Sequence, residues 1–280
     1  MSNPFSLEEK RKWQKKRFGL LPNTKLGDAS KLPKMEWPSN LSITCMSCKQ
    51  HLLEYRMCDV QNEAEKIAEI YRRAIDEIYG NSEYEWHHSA EQIRARCSTG
   101  DYSIWGTYDL TDDGKLIAVL SAEFIRGQRA CHIIWGAVDP ACRGRGVWEN
   151  LGSFIDQLIE KSHAQYGIVW MATSHDLSQR MIEKVPGWRP VGFFLGGEHL
   201  GGTDGKYYRQ NVVWYSKLYD QAPGASQSLK DMVLTKAAAH VARAVLEYDD
   251  NVEQEAGATP EGTWWMNILP FLRRSKLSRL

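Results

Sequence analysis

The chain has 280 residues, of which 42% are hydrophobic, 11% aromatic and 25% charged, with 35 basic and 35 acidic side chains. That composition excludes disorder throughout, and a net charge of zero argues against a uniformly basic nucleic-acid binder. No run approaches the ~18 consecutive apolar residues of a membrane-spanning helix, so no integral membrane segment is expected.

The charged start MSNPFSLEEKRKWQKKRFG has no apolar stretch after it, unlike a secretory signal. Six cysteines are too few for a disulfide scaffold. A reducing, cytoplasmic setting is the expectation. The zero hides an uneven distribution. Residues 1–40 carry nine Lys/Arg against four Asp/Glu, residues 41–220 carry 19 against 24, and the last sixty carry seven of each.

Residues 1–49 read as a basic arm with four prolines, Pro4, Pro22, Pro33 and Pro38, and a short helix at 6–17. The spacing Cys45-x2-Cys48-x2-His51, with Cys58 beyond, suits metal ligands. A strand over 52–58 would point those side chains to opposite faces, and no second Cys-x-x-Cys follows, so no metal is expected. Ile67, Ile70, Tyr71, Ala74, Ile75, Ile78 and Tyr79 share one face of a helix. Ser89 caps a shorter helix over 90–97.

The period then changes to two. Tyr102 to Tyr108, Lys115 to Arg126 and Ala130 to Val138 predict an antiparallel meander, with turns at TDDGK and RGQR. The loop ACRGRG enters a helix striped by Val147, Leu151, Phe154, Ile155, Leu158 and Ile159. A strand over 167–173, a helix over 176–185 and a strand over 188–195 follow. GGEHLGGTDGK reads as a long loop, and 208–218 as the last strand of the body. Residues 220–280 add a helix lined by Leu229 through Tyr248, an acidic linker, and the tail TWWMNILPFLRRSKLSRL. That tail suits packing or partner docking better than a lipid surface, because Pro270 interrupts it.

Glycines at a strand-to-helix junction let backbone N–H groups approach a phosphate. Here Gly144 and Gly146 occupy such a junction, flanked by Arg143 and Arg145. With this order of elements, HIIWGAVDPACRGRGVWENLGSFIDQLIE resembles the GNAT superfamily of acetyl-CoA-dependent acyltransferases, whose pyrophosphate loop is Gln/Arg-x-x-Gly-x-Gly/Ala. KVPGWRPVGFF and NVVWYSKLY resemble its later segments, and the resemblance spans about residues 50–219.

The resemblance implies an α/β (α+β) fold: a mixed, mostly antiparallel sheet flanked by helices and splayed between the family's fourth and fifth strands, with N- and C-terminal extensions. It implies acetyl-CoA or another acyl-CoA as co-substrate. That ligand would be held by Gly136, Ala137 and Val138 on one strand and by Arg143, Gly144, Arg145, Gly146, Val147 and Trp148 at the loop. Two departures stand out. Trp148 is bulky where the family has a small residue. His175 replaces an Asn, and Ile182 falls where the family's general-acid Tyr would be.

Acid–base work then falls to Glu123, His132 or His175. The acceptor site would be formed by Tyr84, Trp86, His87, His199 and Tyr208, since aromatics with carboxylates suit an amine. The function implied is transfer of a short acyl group from a CoA thioester to a small amine by direct attack. Two other readings stay open. One is a GNAT-fold binding or scaffold protein without acyl transfer. The other is an acyltransferase acting on a protein or nucleic acid, for which the basic arm speaks. The C-terminal segment could make a homodimer.

Overall fold

In this computed structural model, residues 32–79, 85–173, 176–201 and 207–219 are described, all within the unit Pro22–Ser226. The helices expected at 6–17 and after residue 224, the acidic linker and the aromatic tail lie outside them.

Eight strands form one sheet in the order β1-β2-β3-β4-β5-β6-β8-β7. They are β1 (Ser42–Met46), β2 (Leu52–Met57), β3 (Tyr102–Asp109), β4 (Lys115–Ile125), β5 (Ala130–Val138), β6 (Tyr166–Ala172), β7 (Arg189–Gly201) and β8 (Tyr207–Leu218). All neighbours run antiparallel except β5 and β6. The sheet is therefore mixed and mostly antiparallel, as expected.

Helix α1 (Val60–Tyr79) and helix α2 (Ala90–Cys97) cover one face. A capping box starts α1: the Asp59 carboxylate accepts from Gln61 N–H at 3.1 Å, and Glu63 accepts from Asp59 N–H at 2.8 Å. Its stripe of Ala64, Ile67, Ala68, Tyr71 and Ala74 is buried against Ile104, Val119 and Ala137. Ser89 caps α2, accepting from Gln92 N–H. Helices α3 (Trp148–Lys161) and α4 (Leu177–Glu183) bury Leu151, Phe154, Ile155, Leu158 and Ile182 in the core of the other face, with Leu53, Tyr55 and Trp105. No helix among the described residues is long and apolar enough to cross a membrane.

Two stretches differ from expectation. Ser42–Met46, assigned above to the arm, pairs with β2 as an edge strand, and Met35 and Leu41 are buried in the core. Only Ile43 and Cys45 of this edge strand turn toward the core, both half-buried, so its apolar alternation is too short to mark it in the sequence. The glycine-rich stretch read as loop continues β7 to Gly201, pairing 198–201 with 207–210 of β8 after a register shift.

The position of the site follows from β5. Pairing with β4 slips at Ser121/Ala122, so Ile134 is an extra residue, a bulge. Pairing with β6 covers only Ala130–Ile133 with Tyr166–Val169. Beyond that point β5 holds to β4 and β6 to β8, and the two strands splay apart.

Candidate active site

A cavity of ≈ 680 Å³ fills the splay. Ile134–Val138 of β5 form one wall, Trp170–Ala172 of β6 the other, and Arg143, Gly144 and Gly146 close one end. On the side away from β4, β5 has no strand partner after Ile133. Its backbone there is open to a ligand that pairs with an extended strand.

The loop is built locally. Asp139 accepts from Ala141 N–H at 2.9 Å, closing a short turn over Pro140–Cys142, and Cys142 is fully buried. Gly144 and Gly146 then take φ of 82° and 81°. At Gly146 a Cβ would lie 2.7 Å from the Ser47 Cβ, so glycine is required for space as well as for φ. Helix α3 begins with no side-chain cap on its first turn, which leaves amide donors for an anion. The Trp148 indole lies along the β5 wall, 3.1 Å from the Cβ position of Gly136, and narrows the cavity without closing it.

Arg145 is turned elsewhere. Its guanidinium donates to Asp109 at 2.7 Å and to Asp112 at 2.8 Å, and Asp109 also pairs with His51 at 2.8 Å. This corrects the expectation that Arg145 offers its charge to a phosphate: the side chain anchors the loop to the β3–β4 turn. Because the Asp109 side chain is fully buried, removing Arg145 takes away its guanidinium partner and leaves only His51 and Thr111 on the carboxylate. Arg145→Ala should cost about 1–3 kcal/mol of unfolding free energy, measurable by denaturant titration.

Glu123 and His132 face each other across the β4–β5 ladder. His132 Nδ1 is 2.9 Å from Glu123 Oε1. The hydrogen bond from His132 is the largest influence on the Glu123 carboxyl and lowers its pKa, with further lowering from the His132 charge, Tyr102 and Arg96 outweighing desolvation. His132 is 5% exposed, and its Nε2 is buried with no hydrogen-bond partner. Its ring contacts Trp170 at 4.7 Å, and both Trp170 and the adjacent Ile133 line the cavity. Ser178, unforeseen from the sequence, lines the cavity with a buried hydroxyl that also lacks a partner. A serine at the start of a helix carries no signal of such a role.

Of the residues expected to bind the acceptor, Trp86 and His87 are the two whose side chains are described. Trp86 and His87 lie in the core at 7% and 0% exposure, with His87 Nε2 2.9 Å from Ser121 Oγ. His87 stacks on one side of Trp86, and the Arg96 guanidinium lies 4.6 Å from its ring centre. The chain's own groups therefore occupy the aromatic surface that was assigned to an amine. The register sets His199 opposite Arg209 and Tyr208 opposite Leu200. Tyr84 and His175 lie outside the described residues. Cys48 is hydrogen-bonded to Glu149 and His51 to Asp109. No group of three or more metal-ligating side chains gathers among the described residues.

Residues 60–187 match the model of the acetyltransferase (GNAT) family. The chain carries a domain of the GNAT superfamily. One solved structure supports the fold, and a second is more distantly similar. A ribosomal-protein-S5-alanine acetyltransferase from Vibrio fischeri is 14% identical, with 65% of this chain and 98% of that one covered and a TM-score of 0.51. A spermidine/spermine N-acetyltransferase from Vibrio cholerae is 13% identical over 59% of this chain and 93% of that one, with a TM-score of 0.47. No protein of curated function matches by sequence.

Acyl transfer is the general activity of GNAT proteins, and acyl-CoA, usually acetyl-CoA, their co-substrate. The residues of this GNAT domain fit that group. The unpaired edge of β5 suits a pantetheine amide chain, the positive-φ glycines and uncapped helix suit a pyrophosphate, and Arg143 lines the cavity beside them.

Proposed function

We propose that this protein transfers an acetyl or other short acyl group from a CoA thioester to a small-molecule amine by direct attack. One observation carries the reading: the cleft between β5 and β6 has a glycine phosphate loop at one end and a half-buried Glu123–His132 pair beside its wall. The acyl-CoA supplies the thioester carbon that the amine attacks.

The chain's residues do the rest. The amine must lose a proton, and His132 Nε2 is the unpartnered base to take it. Glu123 accepts from Nδ1, fixes the tautomer and stabilises the imidazolium that forms. Backbone N–H groups on the open edge of β5 polarise the thioester carbonyl. The Ser178 hydroxyl holds a proton at the wall near the departing thiolate. The six cysteines are free, which supports a reducing compartment such as the cytoplasm.

Calorimetric titration with acetyl-CoA tests this directly. A dissociation constant between about 1 μM and 1 mM is expected, the range of typical KM values. No heat at millimolar ligand would overturn the reading and favour a scaffold without acyl transfer. Thiol release across a panel of amines then identifies the acceptor.

A further inference from the structure

We propose that Lys49, carried on the hairpin between β1 and β2, is a phosphate ligand of the coenzyme site; this rests on the acyl-CoA reading above. The family model begins at residue 60, so the hairpin lies outside the matched domain.

The hairpin is closed by Cys48, Lys49 and Gln50. Ser47 N–H donates to the His51 carbonyl at 2.9 Å, Gln50 N–H donates to the Ser47 carbonyl at 3.0 Å, and Gln50 takes a left-handed φ of 61°. That is a turn with its last loop residue in the left-handed region, a common short hairpin connection.

Three contacts fix this tip to the phosphate loop. Ser47 is buried against Gly146. Cys48 N–H donates to Glu149 Oε2 at 2.8 Å, and the Cys48 thiol donates to Oε1. At the base, His51 pairs with Asp109, the same carboxylate that holds Arg145. The tip is thereby held in place, and Lys49 lines the cavity with Arg143, Gly144 and Gly146.

The electrostatics call for a cation at this position. Glu149 sits in the first turn of α3, and its hydrogen bonds from Cys48 lower its pKa and keep it ionised. Its carboxylate lies 2.9 Å from the Cβ position of Gly146. A phosphate cradled at Gly146 would therefore meet a negative charge. Arg145, the cation that the loop sequence offers, is spent on Asp109 and Asp112. The Lys49 ammonium makes no ion pair among the described residues, and its charge already acts on Glu149. It offsets the carboxylate and replaces the charge Arg145 withholds.

The test titrates the full chain with acetyl-CoA at low and moderate salt, comparing wild type with Lys49→Met and Lys49→Arg. Lys49→Met should weaken binding about tenfold, the scale of one charge-assisted contact, and flatten its salt dependence. Lys49→Arg should restore most of both, and all three proteins should melt together. Affinity of Lys49→Met within twofold of wild type, or an unchanged salt dependence, would overturn the role of Lys49 while leaving the coenzyme reading intact. Absence of binding by wild type would overturn both.

Discussion

His132→Gln should lower kcat by about 10²- to 10³-fold, within the range of a general base, while acetyl-CoA affinity stays within about twofold. The split follows from geometry. His132 stands beside the cavity rather than among its lining residues, touching it through Trp170 and Ile133. Its loss should spare coenzyme contacts and remove only proton transfer, which appears in kcat and not in binding. Equal losses in kcat and affinity would show a packing role instead.

Glu123→Gln should lower kcat less, because Gln still accepts a hydrogen bond from Nδ1 but does not stabilise the imidazolium. The two substitutions should be strongly non-additive, since both act through one proton transfer. Stability carries an independent signature. The Glu123 pKa is depressed in the folded protein, so the pair stabilises the fold fully above the unfolded glutamate value of about 4.3. That contribution is lost as pH falls through the lower folded value. Below about pH 4.3, unfolding free energy should therefore fall less steeply in Glu123→Gln than in wild type, as read by denaturant titration.

Much of this was legible in the sequence. The helical stripe that starts at Ile67, the meander from Tyr102 to Val138 and the glycine junction at 143–147 each announce themselves by period or turn chemistry. The Glu123–His132 pair was legible too, though only with one further step. Both residues lie two beyond the pair Ile125–Ala130 that flanks the RGQR turn, so hairpin register alone sets them opposite each other. Lys49 and Arg145 were not legible, for a different reason. Their roles depend on where β1 and the β3–β4 turn meet the loop, contacts between residues far apart in sequence. Edge strand β1, with its weak pattern, hid the first. Asp109 ends β3 and Asp112 sits in the turn that follows, a stretch that reads as solvent-exposed. Trp86 and His87 misled because an aromatic run near a loop has the same composition whether it lines a site or fills a core.

The same docking of hairpin on loop makes Gly146→Ala the most damaging small substitution at the coenzyme site. Alanine at φ 81° pays roughly 1–2 kcal/mol for the left-handed backbone. Its methyl would also stand 2.7 Å from the Ser47 Cβ and 2.9 Å from the Glu149 carboxylate. Overpacking of that kind costs about 1–3 kcal/mol more. The Ser47 contact cannot relax cheaply, because His51–Asp109 and Cys48–Glu149 hold the hairpin on either side of it. The loop is then the part that shifts, and acetyl-CoA affinity should fall by about tenfold to a hundredfold, each 1.4 kcal/mol being tenfold. Gly144→Ala is the matched control. Its φ of 82° is nearly the same, yet nothing lies within 4 Å of its Cβ position. It should incur the backbone cost alone and lose affinity by no more than about tenfold. Titration of both variants with acetyl-CoA, with melting curves to report the fold, separates the two costs. If Gly144→Ala were as damaging as Gly146→Ala, backbone conformation alone would account for the glycines, and the hairpin contact would carry no weight in holding the loop.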